Sequence, residues 1–591
     1  MFLRPYRVAK DGKDHTYWSL VETVRTPDGP RQRTVCYLGE LNCSAQARWL
    51  KTVEVCNEQG GRRQLKLFPS DVEPPANESD VAQVWVKKIR LERVRQFGNC
   101  FLGLELWKRL GLGRFWEVLL DAQPAEVPWS RVAALLAINR LCAPMSELGI
   151  EERWYPATAL DDLLGFPAGT INDTRLYRCL DRLLPHKTKL ERHLKERYGE
   201  LFGAQFDVLL YDLTSSYVEG QAAKNPMLQY GYSRDHRSDA KQVVIALIVN
   251  PEGFPLSYET FNGDRTDVTT LEAMMRIVER KYGRARRIWV FDRGIVSEEN
   301  LAALRKRGGQ YLVGTPRAKL KAVERELLEG GWTEVRDEVE AKLVPTPTGT
   351  ETYVLCRSRA RREKERAIRR RFSARLERAL KRLAQQVEQG QLKDRAKMER
   401  RLGRIQARHP QVADLYAMSL SERDGRLALD WNLIEERRAW REAREGAYLL
   451  RTNLEGESAE ELWTKYIQLT EAEAAFRALK SELSIRPLFH QIEPRVKAHI
   501  LVAFLGYALW VTLKHLLRRS HSDLSPARAL ALLSTLQSAD IVLPTTDSRE
   551  LRLRRITEPS PEQKKLLHQL RIILPERLEM NLQCSENSAL A

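Results

Sequence analysis

Between Phe206 and Gly314 the sequence sets down three β-type runs with no helical interval between them, and only afterwards do strand and helix alternate. The runs are Phe206–Gly220 (FDVLLYDLTSSYVEG), Gln242–Asn250 (QVVIALIVN) and Pro255–Phe261 (PLSYETF). A helical stretch over Asp267–Tyr282 follows, then Arg287–Phe291 (RIWVF), a helix from Ser297, and Gln310–Gly314 (QYLVG). Short runs of Val, Leu and Ile bounded by polar residues are what strands buried on both faces of a sheet require. The interval predicts a mixed α/β sheet that opens with an antiparallel meander.

That order is the order of an RNase H-like core, and the fold class expected is multidomain α/β with this core interrupted by a large insertion. The chain's 591 residues exceed the size at which one core keeps growing. Residues 15–26 and 31–39 flank the turn residues Pro27-Asp28-Gly29 and predict a hairpin at the centre of a small β domain over 1–68. Residues 69–95, which begin PSDVEPPANESD, read as a linker. Apolar spacing over Ser130–Leu141 and Asp173–Leu184 predicts an α-helical, DNA-binding domain over 96–200. In its second helix Asn172 or Asp173 would cap, with Arg175, Tyr177 and Arg178 facing DNA. The core's first part is expected over 201–317, the insertion over 318–445, the second part over 446–520 and a C-terminal helical region over 521–591.

Charge points the same way. The net charge is +18 and the pI near 9.5, which calls for a polyanionic partner. Arg357–His409 alone holds 20 Lys and Arg against 6 Asp and Glu. Phe372, Leu376, Leu380, Leu383 and Val387 keep helical spacing there, Gly390 offers a break, and Leu392, Leu402 and Ile405 resume it. A basic helical hairpin that contacts the phosphate backbone is expected. The 8 cysteines form no CxxC pair, which argues against structural zinc and for a reducing compartment. The N-terminal MFLRPYRVAKDGKD has no apolar secretory core. His499–Leu513 is shorter than a bilayer span and reads as a buried core helix, so no membrane is expected.

Asp212 is expected at the end of the first strand, where it leaves the core, as Asp292 follows the strand Arg287–Phe291. Open α/β sheets place ligands at the carboxyl ends of their strands. After Ala447–Asn453 comes Ser458-Ala-Glu-Glu461, a capping box that opens a long helix. On it Tyr466, Glu473 and Lys480 are spaced by seven, one stripe if the helix is continuous. Glu471 and Glu482 are nearby acids off that stripe, and Thr470 with Glu473 also matches a capping box. Three carboxylates without His or Cys suit Mg²⁺ or Mn²⁺, two ions at ~3.5–4 Å. Without metal their like charges should raise carboxylate pKa values.

YDLTSSY with Asp212, VFDRGIVSEENL with Asp292, and Tyr466…Glu473…Lys480 resemble the three motifs of the DDE transposases of bacterial insertion sequences. The match is to the group with a large insertion between the second aspartate and the glutamate. The resemblance implies cleavage at terminal inverted repeats, strand transfer into target DNA, and catalysis by Asp212, Asp292 and Glu473 as metal ligands. It also implies a homodimer on paired ends, work in the bacterial cytoplasm or nucleoid, and Tyr466 and Lys480 on a phosphate near the cut. Leu469 stands where the family's motif carries Arg, so Arg477 or the basic insertion would supply that contact, with Arg293, Arg175 and Arg178 as further DNA contacts. The loop Tyr232–Asp239 reads either as a lining of the DNA channel or as a solvated loop, and Asp267 is placed to cap the helix after it. The competing readings are an RNase H-like nuclease or resolvase, and a catalytically silent DNA-binding protein.

Overall fold

The computed structural model describes residues 2–10, 13–26, 29–40, 52–56, 62–66 and 83–575, apart from 168, 347–348, 393, 424–425 and 547–549. It divides into two compact units, Met1–Val94 with Ala539–Arg555, and Arg95–Ser538 with Ile556–Ala591.

In the first unit β1 (Phe2–Lys10), β2 (Lys13–Thr26) and β3 (Gly29–Glu40) form an antiparallel sheet. The β2–β3 pairing runs out to Thr26 opposite Gly29, so the expected hairpin is there, with Pro27 and Asp28 outside the described residues. β4 (Thr52–Cys56) pairs with β5 (Arg62–Lys66), and β6 (Arg90–Gln96) is a strand where linker was expected.

The second unit begins with α1 (Gly98–Arg109), α2 (Leu112–Leu120), α3 (Trp129–Cys142), α4 (Asp173–Leu183) and α5 (Lys187–Phe202). The Asn172 side chain accepts the Arg175 amide and so caps α4.

The sheet then follows the sequence expectation. β7 (Val208–Tyr217), β8 (Gln242–Val249) and β9 (Pro255–Asn262) form an antiparallel meander. All residues of β8 are buried, the reason its apolar run shows no alternation. After α6 (Leu271–Tyr282), β10 (Ile288–Phe291) lies parallel to β7; after α7 (Glu298–Lys306), β11 (Gln310–Gly314) lies parallel to β10.

The interval expected as a separate insertion first adds to this sheet. β12 (Thr333–Arg336), β13 (Val339–Pro345) and β14 (Thr352–Ser358) extend it. The chain then leaves the sheet as α8 (Arg359–Glu388), α9 (Arg395–Arg408), the hairpin β15 (Tyr416–Arg423) and β16 (Arg426–Leu433), and α10 (Glu435–Arg444). It returns as β17 (Ala447–Thr452), antiparallel to both β11 and β14. The sheet order is β12-β13-β14-β17-β11-β10-β7-β8-β9. In the excursion Leu376, Leu380, Leu383, Val387, Met398 and Leu402 share a small core of their own, so the basic hairpin has the packed seam its spacing predicts.

α11 (Ala459–Ile467) opens with the expected Ser458–Glu461 capping box. The long helix expected after it is instead α11, then α12 (Leu469–Arg477), then a π-helical turn over Ala478–Glu482. At the break the Thr470 hydroxyl donates to the Ile467 carbonyl, so that it does not form the capping box with Glu473. α13 (Glu493–Arg519) carries the apolar run; it is long and apolar enough to cross a membrane, and 83% of its most apolar window is buried inside this unit. The C-terminal region is not wholly helical: α14 (Pro526–Ser534) and α15 (Pro561–Leu570) flank β18 (Gln537–Pro544) and β19 (Glu550–Ile556), which form a sheet with β6.

Candidate active site

β7 and β10 place the two aspartates. Their parallel register pairs Phe291 with Tyr211, so the next step sets Asp292 beside Asp212, about 4.8 Å away across the sheet and on the same face. Asp212 is not at a strand end as expected: β7 runs on to Tyr217 because β8 continues to pair with it, from Leu247 opposite Asp212 to Gln242 opposite Tyr217. It is β10 that stops, leaving Asp212 half-buried with an open flank.

α12 brings the third acid. Leu469, Ala472, Ala475 and Phe476 are buried and the helix packs on β7, which leaves Glu473 exposed at the border of that face. Glu471, the nearby alternative, is engaged by Lys514 at 2.6 Å, and Glu482 is exposed in the π-helical turn. Burial, first, and then the charges of Glu473 and Asp292 push the Asp212 carboxyl up to about 6, against the Leu213 amide and the Arg234 guanidinium, which pull it down. The three acids therefore share one electrostatic neighbourhood.

Tyr466 donates its hydroxyl to Asp292 Oδ1 at 3.3 Å. Burial and that carboxylate hold its phenol well above the usual value. A residue missed at the sequence level explains how they meet. At Gly314, the end of β11, an added Cβ would lie 2.6 Å from the Tyr466 hydroxyl and 3.2 Å from Asp292 Oδ1. A strand ending in Gly next to two acid-bearing strands was the available signal.

Lys480, in the π-helical turn, is not on one continuous stripe with Tyr466 and Glu473; its Nζ lies 2.8 Å from Asp235 Oδ1. Arg477 and Arg293 are exposed. Leu469, in the place of the family's Arg, is 7% exposed and part of the core, a position that a guanidinium could not fill without loss. Asp267 does not cap with its side chain: both oxygens lie 2.6 Å from Arg234 Nη2.

In α4, Arg175 is 3.3 Å from Glu126 and Tyr177 lies under the Arg495 guanidinium, 4.8 Å from its ring centre, so Tyr177 is covered rather than facing DNA; Arg178 is exposed.

Two adjoining cavities give Asp292 a basic approach. One of about 410 Å³ is lined by Asp292, Arg293, Gly314 and Tyr466 together with Arg317 and Arg361. The second, of about 910 Å³, shares Arg317 and Arg361 and adds Lys364, Arg369 and Arg441. Neither Arg317 nor Arg361 was singled out in the sequence: nothing local marks which of α8's many cations, Arg361 among them, turn toward the sheet, and Arg317 sits in a 3-10 segment after β11 with no motif around it.

Elsewhere among the described residues, Glu147, His490 and His499 form a tighter set of ligand-type side chains, with donor atoms within 4.8 Å of one another.

The family model for the transposase DDE domain matches residues 203–509, more than half of the chain. That for the N-terminal domain of IS1634 family transposases matches residues 6–63. None of the curated proteins compared with the chain matches it. Among solved structures, the cryo-EM structure of the piggyBac transposase synaptic complex with hairpin DNA is similar at 8% identity and a TM-score of 0.34, over 75% of this chain and 82% of that one. The Mos1 transposase paired-end complex with left transposon end is similar at 13% identity and a TM-score of 0.14, over 32% and 60%. Likenesses this distant carry no argument about individual residues.

Proposed function

The chain belongs to the DDE transposases of bacterial insertion sequences, and on that premise we propose that Asp212, Asp292 and Glu473 are the carboxylates with which it cuts its element's ends and joins them to target DNA. The observation that carries this reading is the parallel register of β10 on β7, which brings Asp292 beside Asp212, with the Tyr466 hydroxyl 3.3 Å from Asp292 Oδ1. The mixed sheet with its opening meander is read as an RNase H-like core.

The donor set fits Mg²⁺ or Mn²⁺, being three carboxylates with no nitrogen or sulfur among them, and a cation would relieve the repulsion felt at Asp212. When bound, two such ions supply Lewis-acid stabilisation of the attacking and leaving oxygens of an in-line phosphoryl transfer. The chain's part is to hold the ligands and the DNA. Tyr466 orients the Asp292 carboxylate through its hydroxyl, and Gly314 leaves the space for that contact. Asp212 works as the deprotonated carboxylate. Arg293 and Arg477 flank the acids, and Arg317, Arg361 and Lys364 would carry the phosphate backbone along the cavities toward the basic hairpin. Arg178 is offered as a more peripheral DNA contact, with Arg175 available once released from Glu126. The DNA is a pair of terminal inverted repeats and then a target duplex, held by a homodimer.

The test is cleavage of a duplex carrying the element's terminal repeat, with Mg²⁺, by the wild-type chain and Asp212→Ala. Cleavage should vanish while DNA binding persists; undiminished cleavage overturns the assignment. Joining of the cut end to a second duplex separates a transposase from a nuclease or resolvase.

A further inference from the structure

Asp235 lies in the loop between β7 and β8, and its side chain is 5% exposed. Two cations from a distant part of the chain meet the same oxygen, Oδ1: Lys480 Nζ at 2.8 Å, and Arg486 Nη1. Its other oxygen, Oδ2, is buried without a hydrogen-bond partner. The third cation of the neighbourhood, Arg234, is spent on Asp267. One carboxylate thus faces two cations, and a positive charge is left over in a partly buried place.

The surplus is felt on Lys480. Burial, first, holds its ammonium below the usual lysine value, Arg486 and Arg234 add to that, and Asp235 opposes it. Arg234 also acts on the Asp212 carboxyl, so the cluster adjoins the acidic centre. A carboxylate oxygen gripped by an ammonium and a guanidinium is in the same chemical situation as a bound phosphate oxygen. A DNA phosphodiester carries the same single negative charge, but its two free oxygens can each take one of the cations, where Asp235 offers both of them the same oxygen. The side chains of Lys480 and Arg486 are 13% and 30% exposed, so Arg486 is the one a ligand reaches first. The loop is also held in a form it does not favour, since His236, next to Asp235, has φ +57°.

We infer that Lys480 and Arg486 form a ready-made site for a DNA phosphate beside Asp212, and that Asp235 fills it as an internal stand-in which the phosphate displaces. The inference rests on the reading of the three acids as the DNA-cutting centre. It adds Arg486 to the DNA contacts and makes Asp235 a competitor for the site, so that unbound protein is held in a DNA-free form.

The experiment measures binding of the full-length chain, without divalent metal, to a duplex carrying the terminal repeat and to an unrelated duplex. Asp235→Asn should bind the terminal-repeat duplex about tenfold tighter than wild type, because the neutral amide competes weakly. Arg486→Ala should bind weaker, and in the double variant Asp235→Asn/Lys480→Ala the gain should disappear. Asp235→Ser, read beside it with a thermal melt, should repeat the gain. Weaker or equal binding by both Asp235 variants, or loss of folding by both, overturns the inference, since a carboxylate that only positions Lys480 or holds the fold is not one that DNA displaces. If the variants bind tighter while Asp212→Ala still cuts, it is the assignment of the acids that fails and the phosphate site that stands.

Discussion

Two sets of ligand-type side chains in the larger unit differ in their charge: one mixes an acid with histidines and an arginine, the other, proposed above as the catalytic set, is made of acids alone. Glu147, His490 and His499 are the tighter set, with Glu147 Oε1 3.4 Å from His490 Nε2 and the two imidazole rings 5.2 Å apart. Arg140, 5% exposed, lies beside them and donates to the carbonyls of Leu483 and Ser484. Burial pushes the Glu147 carboxyl up, but His490 and Arg140 outweigh it and hold the group below its usual value. The one acid of this set is thus answered by the neighbours it already has. Asp212, Asp292 and Glu473 are all of one sign, and the Asp212 carboxyl is pushed up to about 6. Closeness is greater in the first set and electrostatic need is greater in the second; a divalent cation lowers the energy of the second and meets Arg140 in the first.

Asp212→Ala should have the largest effect. Lewis-acid stabilisation is worth several kcal/mol, so cleavage of terminal-repeat DNA should fall by at least about a thousand-fold. Glu147→Gln should do the reverse. It leaves the buried Arg140 without its counter-charge and should cost about 3 kcal/mol in denaturant unfolding, with the Mg²⁺ dependence of cleavage unchanged. Were Glu147→Gln to remove the Mg²⁺ dependence and Asp212→Ala to leave it, the roles of the two sets would be exchanged.

Gly314→Ala sharpens the geometry of the second set. A methyl 2.6 Å from the Tyr466 hydroxyl must displace it or the Asp292 carboxylate. A displacement of ~1 Å at a reacting centre costs about a hundred-fold in rate. Tyr466→Phe, which removes the hydroxyl without crowding, should cost less, about tenfold, read as a weaker apparent Mg²⁺ affinity in cleavage. Equal losses in the two variants would mean that the hydroxyl, and not the space around it, is what Gly314 protects.

What the sequence made legible was local period and local chemistry. The meander, the parallel pair bearing Asp292, the Ser458 capping box and the apolar seam of the basic hairpin each follow from spacing within one segment. What it hid was long-range pairing. That β7 outruns Asp212 depends on β8, that residues 333–358 extend the sheet depends on β17, and that Lys480 meets Asp235 joins positions 245 residues apart. The seven-residue stripe failed for a local reason that periodicity does not carry, the break at Gln468 and the π-helical turn beyond it. Tyr466, Glu473 and Lys480 nonetheless reach Asp292, the field of Asp212, and Asp235.

The smallest effect is the most specific to an uncompensated acidic centre. Asp212 has its folded carboxyl raised to about 6 from an ordinary 3.8. A raised acid favours the folded state while it stays protonated, so that contribution is present at low pH and is lost as pH rises through the window between those two values. In metal-free protein the melting temperature should therefore fall as pH rises toward 6, and Asp212→Asn should flatten that segment of the curve. Cleavage has the opposite sign, because the deprotonated carboxylate is the form that takes up metal: at Mg²⁺ too dilute to fill the site its rate should rise with pH through the same window, and saturating Mg²⁺ should move that rise to lower pH. Added Mg²⁺ should stabilise the wild-type chain above pH 6 and leave Asp212→Asn nearly unaffected. The Glu147 set titrates the other way, its carboxyl held low, so the stability it lends is present above the ordinary glutamate value and lost as the solution becomes more acidic. Followed from pH 2 to 8, the melting curve of Asp212→Asn should change its distance from wild type between 3.8 and about 6, and that of Glu147→Gln should close on wild type only below the ordinary glutamate value; two curves parallel to wild type throughout would erase the distinction between a compensated network and a frustrated one.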